Sequence, residues 1–169
     1  MDISLIFNLI MALLGLFLPW LSTPSTPVAA PADTVAEVVS VIDGDTIIVN
    51  IGGHKETVRY IGIDTPEPRR EGAPECGSHE ATEFNRTLVE NQTVRLVADA
   101  EDRDQYDRLL RYVYVGEGTD EVFVNKAIIA AGLARPLTIK PNNTYAGIFN
   151  EAARTAAADD VGNWALCGG

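Results

Sequence analysis

Positive charge is what this chain lacks most. Its 169 residues hold 13 Lys and Arg against 24 Asp and Glu, a formal net charge of −11. Such an acidic surface repels nucleic acid, so a basic coat-type binder is excluded, and any polyanionic substrate needs a local arginine cluster or a bound cation. Cysteine is nearly absent: Cys76 and Cys167 stand far apart, without a histidine cluster nearby, which excludes a zinc site as well as a cysteine-dense scaffold. The only histidines, His54 and His79, also lack companion ligands. Collagen-like composition and internal repeats are missing. With 46% hydrophobic residues the chain is not a disordered one, and its length suits one domain around one core.

Charge is missing again at the N-terminus, where Asp2 is the sole charged residue before position 33. Ile3 to Leu21 is apolar apart from Ser4, Asn8, Gly15 and Pro19, and a Pro/Ser/Thr/Ala stretch follows, with Ala30-Pro31-Ala32 resembling a small-residue cleavage site. Residues 1–32 therefore read as a signal peptide or an N-terminal membrane anchor with a Pro-rich linker, and 33–169 as the folded domain, working outside the cytoplasm. No Lys or Arg precedes the apolar run, and its length approaches that of a bilayer span, so cleavage and anchoring both stay open. In an oxidising compartment an even pair of cysteines is expected to bond, so Cys76 and Cys167 are expected to pin the C-terminal tail to a mid-chain loop. Closing a loop of about 90 residues stabilises a fold by roughly 4–5 kcal/mol on the chain-entropy account.

What the domain does have is short strands. Val35 to Ile42 alternates loosely, Asp43-Gly44-Asp45 turns, Thr46 to Ile51 is β-branched, and Gly52-Gly53 signals a hairpin into a third strand, Lys55 to Ile63. A polar loop with three prolines runs from Asp64 to Gly77. Ser78 is placed to cap a helix reaching about Asn91, with Ala81, Phe84 and Leu88 on its buried face. Strands follow at Thr93 to Ala98 and Leu109 to Val115, then helices from Val124 to Ala131 and, capped by Thr144, to about Asp159. This order predicts an α+β domain: a five-stranded OB-fold Greek-key barrel with three covering helices.

Three segments carry chemistry: Val41-Ile42-Asp43-Gly44-Asp45-Thr46, Val58 to Glu67 with its Ile63-Asp64-Thr65-Pro66-Glu67 end, and Asp104-Gln105-Tyr106-Asp107-Arg108. Singly, each has a plain reading as a turn, a strand end or a salt-bridged arginine. Together, and with Cys76-Gly77-x-His79-Glu80-Ala81, Gly132-Leu133-Ala134 and Lys140-Pro141-Asn142-Asn143, they resemble the thermonuclease (staphylococcal nuclease-like) family from about Val35 to Trp164. That resemblance implies an OB-fold phosphodiesterase, secreted or periplasmic, that uses Ca2+ to cut DNA and RNA. It further implies Asp45, Asp64 and the Thr65 carbonyl as metal ligands, with Asp43 supporting them from behind. Arg59 and Arg108 would hold the phosphate, Glu67 would be general base, and Tyr106 would bind substrate. The expected partner is DNA or RNA, the membrane enters only through an uncleaved N-terminal segment, and a monomer is expected.

The chemistry is consistent with those assignments. Calcium favours hard oxygen ligands with room for water, arginine offers phosphate a planar fork, and an ionised glutamate can accept a proton from water. Two positions depart from the family pattern. Asp107 stands where glycine usually precedes the arginine, and aspartate tolerates left-handed backbone better than most residues. Leu137, Thr138 and Ile139 stand where the best-known members have aromatics. Arg69 and Arg70 are further candidates for phosphate contact. A non-catalytic OB module that only binds nucleic acid or protein is the alternative, and such a module would be expected to have lost Arg59, Glu67 or a metal carboxylate. The Asn-x-Thr motifs at Asn85, Asn91 and Asn142 are discounted as glycosylation sites.

Overall fold

A computed structural model describes residues 33–68 and 73–168. The segment read as signal or anchor lies outside the described residues, as do Arg69 and Arg70. In chain order the described elements are β1 Thr34–Val41, β2 Thr46–Ile51, β3 His54–Tyr60, β4 Ile63–Asp64, α1 Ser78–Val89, β5 Thr93–Val97, β6 Leu109–Val115, β7 Val122–Phe123, α2 Val124–Ala130, β8 Arg135–Pro136, α3 Ala146–Ala158 and α4 Asn163–Cys167.

The five long strands form the barrel in the order β3-β2-β1-β5-β6, and a parallel pairing of β3 with β6 closes it. Val58 faces Leu109, Arg59 faces Leu110, and Tyr60 faces Arg111 across that seam. The core is the inward set of each strand, including Ile47, Val49, Val58, Val94, Leu96 and Val113, all buried. The loose alternation of β1 has a local cause. The register jumps between Val38 and Ser40, so Val39 is an extra residue and the buried face shifts from Ala36 and Val38 to Val41.

The expected third strand is in fact two. Gly62 takes φ +82, and a side chain there would collide with the Phe149 ring, so the chain turns after Tyr60 and resumes as β4, which pairs with β8. Two expected helix caps are corrected as well. Ser78 is the first residue inside α1, and Gly77, at φ +83, occupies the cap position; α1 ends at Val89, short of Asn91. Thr144 does not cap α3; its N–H and hydroxyl donate to the Asp99 carboxylate, which also accepts from the Tyr112 hydroxyl. Fully buried Ala81, Asn85 and Val89 form the inner stripe of α1, and Phe84 and Leu88 pack beside it. Asn85 and Asn142 are buried, which leaves no room for a glycan at either. The unexpected fourth helix, α4, is fastened by the Cys76–Cys167 disulfide, so the pairing expected from composition is present.

Candidate active site

The Asp43-Gly44-Asp45 turn does more than reverse the chain. Asp43 Oδ1 accepts the Asp45 N–H at 3.1 Å, and the turn packs so close that a side chain on Gly44 would overlap Ala81 and Thr65. Asp45 is thereby driven inward to 3% exposure. One of its oxygens accepts from the Thr65 N–H at 2.9 Å and the Thr65 hydroxyl at 3.0 Å. The other accepts from the Thr46 hydroxyl and lies 3.1 Å from Arg59 Nε.

Arg59 projects from β3 and is nearly used up by its own surroundings. One terminal nitrogen donates to the Tyr60 and Ile63 carbonyls, each at 2.8 Å, and the other meets Asp64 Oδ1 at 3.1 Å. One guanidinium thus bridges Asp45 and Asp64. Burial pushes the Asp45 carboxyl above its ordinary value despite Arg59, and Asp43 adds to that rise. Asp64 is raised by burial too, with Asp45 contributing, and Glu67 by burial and then by Asp43 and Asp45. In all three, burial is the leading cause of the rise and neighbouring carboxylates add to it. Glu67 is exposed, and the loop carrying it is tied by two bonds: its N–H donates to the Glu75 carboxylate, and its carbonyl accepts the Glu75 N–H.

The parallel seam sets the second arginine near the first, because Arg108 immediately precedes β6. Its N–H and Nε both donate to Asp104, at 3.0 and 2.7 Å, and its guanidinium carbon lies 5.5 Å from the centre of the Tyr106 ring. Arg59, Tyr106 and Arg108 line one cleft of about 420 Å³, together with Leu137 and Ile139. Aliphatic side chains thus stand where flat rings were missed in the sequence. Asp107 does adopt left-handed backbone, at φ +65, and its carboxylate turns to Arg103, 3.5 Å away, rather than to Arg108. The partner of Arg108 that sequence reading passed over is Asp104, whose signal was its place four residues earlier in the same motif.

Fold and cleft together define an OB barrel whose mouth gathers arginines and carboxylates. The chain belongs to the staphylococcal nuclease family: residues 57–166 match the family described as Staphylococcal nuclease homologue. It is 39% identical over 125 residues to the thermonuclease of Staphylococcus intermedius, covering 73% of this chain and 72% of that one. It is 39% identical over 121 residues to the thermonuclease of Staphylococcus hyicus, covering 71% and 69%. To Endonuclease YncB of Bacillus subtilis (strain 168) it is 37% identical over 130 residues, covering 75% of this chain and 60% of that one.

Proposed function

We propose that the protein is an exported, calcium-dependent endonuclease hydrolysing phosphodiester bonds of DNA or RNA. Its family and its thermonuclease and endonuclease relatives support a phosphodiester-hydrolysing nuclease. The observation that carries the finer reading is the bridge: one arginine spans two carboxylates at the end of a cleft that holds a second arginine and an exposed tyrosine.

The donor chemistry fits a hard cation. The available ligands are oxygens, and burial keeps the carboxyls raised even with Arg59 between them. Among the described residues no three acidic, histidine or cysteine side chains make a closed cage. An ion bound by two carboxylates and a carbonyl would keep water or substrate oxygens in the rest of its shell, as calcium tolerates and magnesium accepts less readily. Asp45, Asp64 and the Thr65 carbonyl would hold it, and when bound it supplies positive charge toward the scissile phosphate.

The side chains account for the remaining steps. Arg59 and Arg108 donate to phosphate oxygens and oppose the charge that grows as water attacks phosphorus. Arg59 does so by exchanging its half-exposed contact with Asp64 for the phosphate. Glu67 accepts the proton from water while the new P–O bond forms and the old one breaks; its raised pKa makes it a stronger base for that transfer. Tyr106, 71% exposed, offers its ring to a neighbouring base.

Hydrolysis of single-stranded DNA against free calcium, for wild type and Asp45→Ala, tests the proposal. Activity is expected to need calcium, to respond poorly to magnesium, and to vanish in Asp45→Ala. Full wild-type activity in excess chelator would overturn the calcium site. Export is tested by N-terminal sequencing of protein recovered outside the producing cells, expected to start near Ala32 if cleaved; protein confined to the cytoplasm would overturn it.

A further inference from the structure

A second cleft, also of about 420 Å³, is lined by Asp64, one of the two carboxylates that Arg59 bridges. Ile63 lines the Tyr106 cleft, while Asp64, its neighbour in β4, lines this one. Successive strand residues point to opposite faces, so the two clefts flank β4 from either side. Thr65 continues the wall of the second cleft, Arg135 stands opposite Asp64 across the β4–β8 ladder, and Trp164 lines it too. The disulfide also lines it and fastens α4, with Trp164, to the loop that carries Asp64 and Thr65.

The two clefts repeat one chemistry, an aromatic ring with a guanidinium: Tyr106 with Arg108 in the first, Trp164 with Arg135 in the second. Arg135 differs from every other arginine whose side chain is described. Arg59, Arg86, Arg95, Arg103, Arg108, Arg111 and Arg154 each have a carboxylate within 4.0 Å. Arg135 is exposed and, among the described residues, has none, although its charge is felt at Asp64. Among the described residues no carboxylate pairs with Arg135, so on a wall shared with Asp64 and Glu75 its guanidinium is open to an anion.

We infer that this second cleft is a nucleic-acid subsite for the strand on the far side of the scissile bond from Tyr106, with Trp164 stacking a base and Arg135 contacting a phosphate. The inference rests on the nuclease reading. A strand cut internally continues in both directions from the reacting phosphate, and the clefts give each direction a seat. Stacking on an indole accepts any base, so the subsite selects single strands without selecting sequence.

Two measurements on the full chain test it. In the first, KM is compared for a 16-nucleotide single strand and for a dinucleoside monophosphate, which has no phosphate beyond the scissile one. Arg135→Gln, a surface change, is expected to raise KM for the 16-mer about tenfold and so lower its advantage over the short substrate by a similar factor. In the second, the chain carries Trp20→Phe, which leaves Trp164 as its single tryptophan. Stopped-flow mixing with the 16-mer in calcium is expected to quench Trp164 emission before cleavage. If wild type cleaves neither substrate, the nuclease reading itself falls. If it cleaves both, an unmoved KM ratio in Arg135→Gln or an unmoved Trp164 emission overturns the second subsite alone.

Discussion

The two arginines at the barrel mouth are built differently. Arg59 lies on a strand, is 14% exposed, and is held by two carbonyls and two carboxylates. Arg108 lies at the end of a loop, is 32% exposed, and has one carboxylate partner, Asp104. The first is part of the architecture, and its position is set before any substrate arrives. The second is leashed to a neighbour and can be redirected by changing that neighbour. On the proposed nuclease reading, a buried guanidinium serves stability and chemistry at once, while a leashed one serves chemistry almost alone.

The comparison can be broken by experiment. Arg59→Lys keeps the charge but loses the fork, so kcat/KM is expected to fall by about 10²–10³. Stability should fall with it, by about 1–3 kcal/mol, because the buried Asp45 loses a fixed partner. Arg108→Lys should cost activity by about 10² with an unchanged Tm. Kinetics and thermal melts on both variants check this, and a wild-type Tm for Arg59→Lys would erase the distinction. Asp104→Asn should lower kcat/KM about tenfold by releasing Arg108.

Asp104 also gives a pH test. Burial raises its carboxyl, but the Arg108 N–H and guanidinium and the Tyr106 N–H outweigh that and hold it below its ordinary value. A depressed carboxyl stabilises the fold above its unfolded pKa of about 3.9, and that contribution is lost as pH falls through the lower native value. Urea midpoints at pH 7 and near pH 3 should therefore differ less in Asp104→Asn than in wild type. The smallest effect is expected at Asp107→Asn. That side chain is 88% exposed and faces Arg103, so activity should stay within about twofold, as for most surface ion pairs.

The same division between architecture and leash decides what could be read in advance. The strands of the barrel and the three expected helices were legible as local patterns of apolar period and turn residue, whereas the aspartate–arginine segments, plain when taken singly, were legible only together, through the family resemblance. The Val39 bulge was not, since an extra residue in a strand leaves only a blurred alternation. The break at Gly62 depends on Phe149, far along the chain, and no local window contains both. Thr144 looked like a helix cap because of its type and place, but the Asp99 carboxylate competes for the same hydroxyl and wins. The cleft of Arg135 and Trp164 is assembled by the β4–β8 pairing and the disulfide, and neither residue sits in a motif that announces it.

The parallel seam between β3 and β6 has one more consequence. Arg59 and Arg108 belong to opposite halves of the chain and become neighbours when Val58 meets Leu109. Contacts so remote in sequence form late and slowly. A half-made copy thus has Arg59 but not yet Arg108, and even a finished chain has both side chains without their arrangement until the seam forms. The barrel seam is the contact on which assembly of the mouth waits: until it shuts, the two arginines are not neighbours.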